Sequence, residues 1–211
     1  MKKDIYSLLL GREIVELIDD LASKTNTSRS NYINEILADH LSYTTFGQIA
    51  KDILSQAKDQ LESIGGYVFV PMNSAHFMDI RAELNYKYRP AIRYCVEVYR
   101  SKNYYSSRIK ANIRTQNREL TKSMEDFFSL WKEVEKKRHI KNSNVVSNES
   151  LNNNEKGFIR ILEDKSNKQV LGLETANYIN VLHRSLYAFF ENKEDYLKAK
   201  KEIERIYGET Y

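Results

Sequence analysis

The sequence predicts two parts of different build. An N-terminal unit of one strand and two helices needs a second copy of itself. A larger α+β domain follows, in which helices cover an antiparallel sheet. Three observations carry this. A run of β-formers at residues 4–10 precedes two stretches of helical periodicity and has no strand partner nearby. Three segments between Ile80 and Arg114 alternate apolar and polar residues, as strands with one wet face do. Long stretches of helical period then return at Glu119–Arg138 and Glu174–Tyr207.

The first strand, Asp4–Leu10, ends at Gly11, which can N-cap a helix. From Arg12 to Thr25 the apolar residues Ile14, Val15, Leu17, Ile18, Leu21 and Ala22 fall at helical spacing. Asn26-Thr27-Ser28 breaks that helix. Ser28 or Ser30 can cap a second one, with Ile33, Ile36, Leu37 and Leu41 on its apolar face. A lone strand leaves its backbone donors and acceptors unpaired. Two copies of the chain remove that problem by pairing their strands antiparallel over four helices.

The stretch DIYSLLLGREIVELIDDLASKTNTSRSNYINEILADHL resembles the ribbon-helix-helix (MetJ/Arc/CopG-like) DNA-binding proteins. The inward strand positions Tyr6, Leu8 and Leu10, the short Gly11 junction and the TSRSNYINEIL entry to the second helix carry the resemblance, over residues 1–43. It implies a homodimer on double-stranded DNA, able to assemble further there, with the paired strands in the major groove. Strand periodicity assigns Ile5, Ser7 and Leu9 to the outward face. Ser7 can hydrogen-bond a base edge, whereas Ile5 and Leu9 can touch only thymine methyls or sugar. The family usually has polar or basic groups there, and packing on protein is the alternative for this face. Lys2 and Lys3 flank the ribbon within reach of phosphate. The resemblance also implies a phosphate contact at the start of the second helix, where Ser28, Arg29, Ser30 and Asn31 stand. Capping by Ser28 or Ser30 is compatible with that contact. Residues 1–45 hold five Lys/Arg (Lys2, Lys3, Arg12, Lys24, Arg29) against seven Asp/Glu (Asp4, Glu13, Glu16, Asp19, Asp20, Glu35, Asp39), so the sum does not favour DNA.

Residues 1–44 are therefore expected to form the DNA-binding and dimerisation domain, 45–66 a connector helix, and 67–211 an α+β domain. Ile49, Ala50, Ile53, Leu54, Ala57 and Leu61 give the connector its stripe, and Gly65-Gly66 ends it. Tyr67–Val70 reads as a short buried strand before Pro71. Ile80–Lys87, Ile92–Tyr99 and Arg108–Arg114 form a meander. The helix from Glu119 to Arg138 covers it with Leu120, Met124, Phe127, Phe128, Leu130, Trp131 and Val134. Residues 142–156, rich in Asn and Ser, read as a mobile loop. Phe158–Leu162 reads as one more strand, and the last helical stretch is broken near Asn192-Lys193.

The wet face of the meander carries Arg81, Lys87, Arg93, Arg108, Lys110 and Arg114, with Tyr99 among them. Arg81, Arg93, Arg108, Lys110 and Arg114 form a candidate second anionic site. A solvated face with cross-strand pairs to Glu83 and Glu97 is the plainer alternative. The formal charge of +4 over 211 residues suits an anionic partner. Cys95 is the only cysteine, which excludes an internal disulfide and a thiolate zinc site within one chain. His40, His76, His139 and His183 are scattered, and no phosphate-binding glycine loop or nucleophile elbow occurs. No catalytic residue, metal ligand or cofactor is expected. The start lacks a signal-peptide core, no stretch is long enough to span a membrane, and a cytoplasmic location is expected.

The expected function is a sequence-specific, homodimeric transcription regulator, most simply a repressor, and not an enzyme. The C-terminal domain would add subunit contacts or take a protein or small ligand. A plasmid partition or maintenance protein and an antitoxin-like protein-binding module are the alternatives.

Overall fold

The computed structural model describes residues 5, 7–72, 74–100, 104–137, 155–164 and 168–210. The chain divides into two compact units, Met1–Phe46 and Gly47–Tyr211. The expected Asn/Ser-rich loop lies almost entirely outside the described residues.

The first unit is a helix pair. Helix α1 (Arg12–Lys24) is capped by the backbone of Gly11 alone, and α2 (Arg29–His40) by Ser28. Both helices stop in the same way. Asn26 takes φ +54° and Ser42 φ +53°, which turns the chain out of the helix. After α1, Asn26 N–H donates to Ser23 O (3.1 Å) and Thr27 N–H to Ala22 O (2.9 Å). After α2, Ser42 N–H donates to Asp39 O (2.9 Å) and Tyr43 N–H to Ala38 O (2.8 Å). These paired bonds satisfy the orphan carbonyls of each last turn. Residues 5 and 7–10 belong to no helix and no strand ladder, so the strand expected there has no partner among the described residues.

The second unit is α+β. Its elements are α3 (Phe46–Ile64), β1 (Tyr67–Val70), β2 (Phe77–Glu83), β3 (Ala91–Arg100), β4 (Tyr105–Arg114), α4 (Arg118–Lys137), β5 (Glu155–Asp164), α5 (Lys168–Glu191) and α6 (Tyr196–Gly208). The strands form one antiparallel sheet in the order β1-β2-β3-β4-β5. Period-2 alternation decides the faces. Ile80, Ala82, Ile92, Tyr94, Val96, Val98, Ile109, Ala111, Ile113 and Phe158 are buried on the helix side.

Two strand expectations shift. The second strand begins at Phe77 and ends at Glu83, rather than running from Ile80 to Lys87. Leu84 leaves the ladder to donate its N–H to Pro90 O (2.8 Å), yet its side chain stays buried. The bend is completed by Tyr88 and Arg89 at positive φ. Strand β1 is an edge strand rather than a buried one, and Val68 on it is exposed.

Helix α5 is the axis of the core. It is buried on more than one side, at Leu171, Thr175, Ala176, Tyr178, Ile179, Val181, Leu182, Ser185 and Leu186. It begins at Lys168, six residues before the Glu174 start that periodicity indicates. Gly172 explains the difference. A glycine in a helix reads as a breaker because it is about 1 kcal/mol worse than Ala there. Here a Cβ on Gly172 would stand 2.7 Å from Ile53 O and 2.5 Å from Gln56 Oε1. The glycine thus lets α5 press against the backbone of α3. The expected connector helix is accordingly a packed layer of the second unit, buried at Ile49, Ala50, Ile53, Leu54, Ala57 and Leu61.

Helix α4 is capped by Asn117, whose Oδ1 accepts from Glu119 N–H (3.0 Å) and Leu120 N–H (3.1 Å). Phe128 stacks on Phe158 of β5 at 5.7 Å between centroids, and Trp131 meets Tyr207 of α6 edge-on at 5.3 Å. Among these rings lies a charge pair. Arg160 on β5 points inward, although Ile159 and Ile161 on either side of it point outward. Its Nε lies 3.9 Å from Glu135 Oε1 on α4. Tyr178 OH donates to Glu135 Oε1 (2.8 Å), and Trp131 Nε1–H donates to Tyr178 OH (2.9 Å). The Arg160 guanidinium also sits over the Tyr178 ring at 5.7 Å. Burial raises the Glu135 carboxyl above its ordinary range, against the pull of Arg160.

Two outcomes are expected from this packing. Gly172→Ala lowers unfolding free energy by about 1–3 kcal/mol despite the better helix propensity of Ala, because the added methyl meets a backbone carbonyl. Glu135→Leu alone costs about 3–5 kcal/mol by stranding a buried guanidinium, and Glu135→Leu with Arg160→Met recovers most of it. Urea unfolding followed by circular dichroism measures both.

Candidate nucleic-acid interface

The start of α2 is where the sequence reading places a phosphate contact, at Ser28, Arg29, Ser30 and Asn31. Ser28 is extended (φ −81°, ψ 151°), and its Oγ accepts from Asn31 N–H at 3.3 Å. The N–H groups of Arg29 and Ser30 precede the first helical bond, made by Tyr32 N–H to Ser28 O (2.9 Å). They face outward with the positive end of the helix dipole. The Arg29 side chain is engaged nearby. Its Nε and Nη2 donate to the two carboxylate oxygens of Asp19 on α1. This pair depresses the Asp19 carboxyl, chiefly through the hydrogen bonds, and raises Arg29. A phosphate at this helix start would share or displace Asp19.

Ahead of α1, Ile5, Ser7 and Leu9 are exposed, with Ile5 and Leu9 wholly so. Leu8 (61%) and Leu10 (39%) are less exposed than Leu9. Lys3 and Lys2 lie outside the described residues, as does Tyr6. The helix pair buries only Ile18, Ala22 and Ala38 among its apolar residues. Ile14, Leu17, Leu21, Ile36, Leu37 and Leu41 stay between 40% and 73% exposed. The two helices alone therefore leave most of their apolar surface in water.

The second candidate group is brought together on one surface. Arg81 of β2, Arg93 of β3 and Arg108, Lys110 and Arg114 of β4 all lie on the sheet face opposite the helices. Much of this charge is compensated. Arg93 donates through Nε and Nη2 to Asp79 (2.8 and 2.7 Å), and Arg108 pairs with Glu97. Arg89 reaches Glu83 at 3.7 Å. The Glu97 pair is the cross-strand contact that alternation anticipates. Asp79 lay outside the expected strand, so its role was not legible.

A third polar group escaped the sequence reading. His183 on α5 accepts or donates through Nδ1 with Tyr94 OH on β3, at 3.0 Å. Tyr67 of β1 and Tyr187 of α5 pack their rings on the imidazole at 5.6 and 5.3 Å. Tyr67 OH donates to Asn180 Oδ1 (3.3 Å). Burial depresses the imidazole to about 4 and raises the Tyr67 and Tyr94 hydroxyls. His183 is thus a neutral core histidine, and the only hint of it in the sequence is its place on an apolar helical stripe.

Among the described residues no group of three His, Cys, Asp or Glu side chains is placed to hold a metal ion, and no helix is long and apolar enough to cross a membrane. Compared with models of protein families, with curated proteins and with solved structures, the chain matches none.

The His183 environment has a consequence for stability. Unfolding returns the imidazole to its ordinary value near 6.5, so the unfolded chain takes up a proton first as pH falls. Stability from this group is full above pH 6.5 and is lost toward pH 4, at about 1.4 kcal/mol per unit. The native protein should lose about 2 kcal/mol from this source between pH 6.5 and 5. Urea titrations at the two pH values should show that difference shrinking by this amount in His183→Gln.

Proposed function

We propose that the chain is a homodimeric, sequence-specific binder of double-stranded DNA that regulates transcription, most simply as a repressor. One observation carries the reading. The first unit has a segment at residues 7–10 with no strand partner among the described residues, and six large apolar residues of the helix pair and its cap left in water. A second copy supplies both needs at once. Antiparallel pairing of two identical segments about a two-fold axis satisfies their backbone groups, and it brings the apolar helix faces of the two copies together. Exposure that falls at Leu8 and Leu10 and is complete at Leu9 supports the division into inward and outward strand positions.

In that dimer Ser7 and its symmetry mate lie on the outer face of a two-stranded ribbon, the element that fits the major groove. The starts of the two α2 helices then clamp phosphates on either side, through the Arg29 and Ser30 N–H groups and the Arg29 guanidinium. Ile5 and Leu9 add apolar contacts, so much of the discrimination rests on Ser7, on thymine methyls and on DNA shape. The excess of acids in this unit makes affinity depend on where the few cations stand.

The test joins sedimentation with selection of bound duplexes from a random pool. A dimer in solution and an enriched two-fold repeat are expected. Arg29→Ala should weaken binding and reduce the slope of log K against log salt by about 2, one phosphate contact per protomer. Ser7→Ala should relax preference at one position of each half-site and leave the slope unchanged. A monomeric protein, or a pool without enrichment, would overturn the reading.

A further inference from the structure

The sheet face opposite the helices gathers both cationic and aromatic side chains. We propose that it binds single-stranded nucleic acid, with phosphate held at Arg81 and Arg93 and a base stacked at Phe77 and Tyr99. The proposal is independent of the duplex-binding reading and involves other residues.

The first observation is a like-charge pair across two strands. Arg81 and Arg93 stand directly opposite each other on β2 and β3. Like charges at such positions are unfavourable unless something between them is negative. Two carboxylates stand beside them on β2: Glu83, which Arg89 reaches at 3.7 Å, and Asp79, whose side chain is only 3% exposed. Both its oxygens are used to hold Arg93. Arg81 is exposed and has no acidic partner among the described residues. Asp79 therefore fixes the guanidinium of Arg93 and leaves the Arg81–Arg93 pair with net positive charge. That arrangement suits a phosphate, because a fixed guanidinium loses little freedom on binding.

The second observation is the aromatic end of the same face. Phe77 of β2 faces Glu97 of β3, and Tyr99 is two residues further along β3 on the same side. The two rings are diagonal neighbours and both are half-buried. The charge between them is neutralised by the Glu97–Arg108 pair. Phe77 lies four residues from Arg81 along β2, roughly 13 Å. That separation lets an extended single strand place a base on the rings and a neighbouring phosphate on the arginines. A duplex keeps its base faces stacked inside and cannot present them to the rings. The observations therefore favour a single strand over a duplex or an acidic peptide.

The test uses the full-length protein and fluorescein-labelled twelve-nucleotide oligo-U and oligo-dT, read by anisotropy in low salt. Binding of at least one oligonucleotide is expected. Arg81→Ala should weaken it several-fold and lower the salt slope by about 0.7. Tyr99→Leu keeps apolar bulk and removes the ring, and should weaken it roughly five-fold or more. Arg29→Ala should leave it unchanged. Circular dichroism of each variant checks that it is folded, and Phe77→Leu replaces Tyr99→Leu should the latter fail that check. Absence of binding to both oligonucleotides overturns the proposal. So does binding that ignores Arg81 and Tyr99 but is lost in Arg29→Ala, which would place single strands on the first unit. Competition by tripolyphosphate at equal phosphate concentration, with no effect of either ring substitution, would reduce the site to a simple anion site and overturn the nucleic-acid assignment. Displacement of the oligonucleotide by an acidic peptide at equal charge would do the same.

Discussion

The close approach of α3 and α5 at Gly172 is the contact on which the second unit depends. A five-stranded sheet with one apolar face needs a helical layer close enough to exclude water. Helix α5 provides the centre of that layer, but only if its neighbours can reach it. The missing side chain at Gly172 lets α3 lie against α5, and α3 then closes its own six-residue apolar stripe. From the other direction Phe127 of α4 packs on Phe189 of α5, Phe128 of α4 on Phe158 of β5, and Trp131 of α4 on Tyr207 of α6. The layer is dense with aromatic groups, and Tyr and Trp hydroxyl and N–H groups within it must find partners.

That requirement accounts for the polar core. Tyr178 and Trp131 are satisfied in a chain that ends on Glu135, and the charge this brings inside is balanced by Arg160. Tyr94 is satisfied by His183. The Glu135–Arg160 pair and His183 are thus explained by the core's own tyrosines and tryptophan. The helix side of the sheet serves structure, and the candidate binding residues lie on the open face and in the first unit.

The two units meet their surroundings differently. In the second unit, apolar residues are largely enclosed, and some charges of the open sheet face are paired, as Arg93 with Asp79 and Arg108 with Glu97. In the first, large apolar residues stand in water beside a segment with no ladder partner. A 46-residue piece with two short helices cannot enclose such residues by itself. This contrast is what the proposed pairing of two first units would remove.

The pattern of the chain determined much of this without coordinates. Alternation around Ile92–Val98 and Ile109–Ile113 placed strands and faces correctly, because a one-residue slip would turn every side chain over. The helix pair, its Gly11 and Ser28 starts and the break near Asn192 were legible because capping is a local matter. Co-location of Arg81, Arg93, Arg108, Lys110 and Arg114 on one face followed from the same period-2 rule. Tertiary structure decided the rest. The start of α5 was hidden because Gly172 opposes local propensity and is explained only by a neighbour more than a hundred residues away in sequence. The inward turn of Arg160 between two isoleucines was hidden because its partner, Glu135, is on another element and alternation alone permits either parity. The pairing of Arg29 with Asp19, of Arg93 with Asp79 and of Tyr94 with His183 belongs to the same class. Each joins residues that no periodicity relates, so only the folded chain brings them within a hydrogen bond.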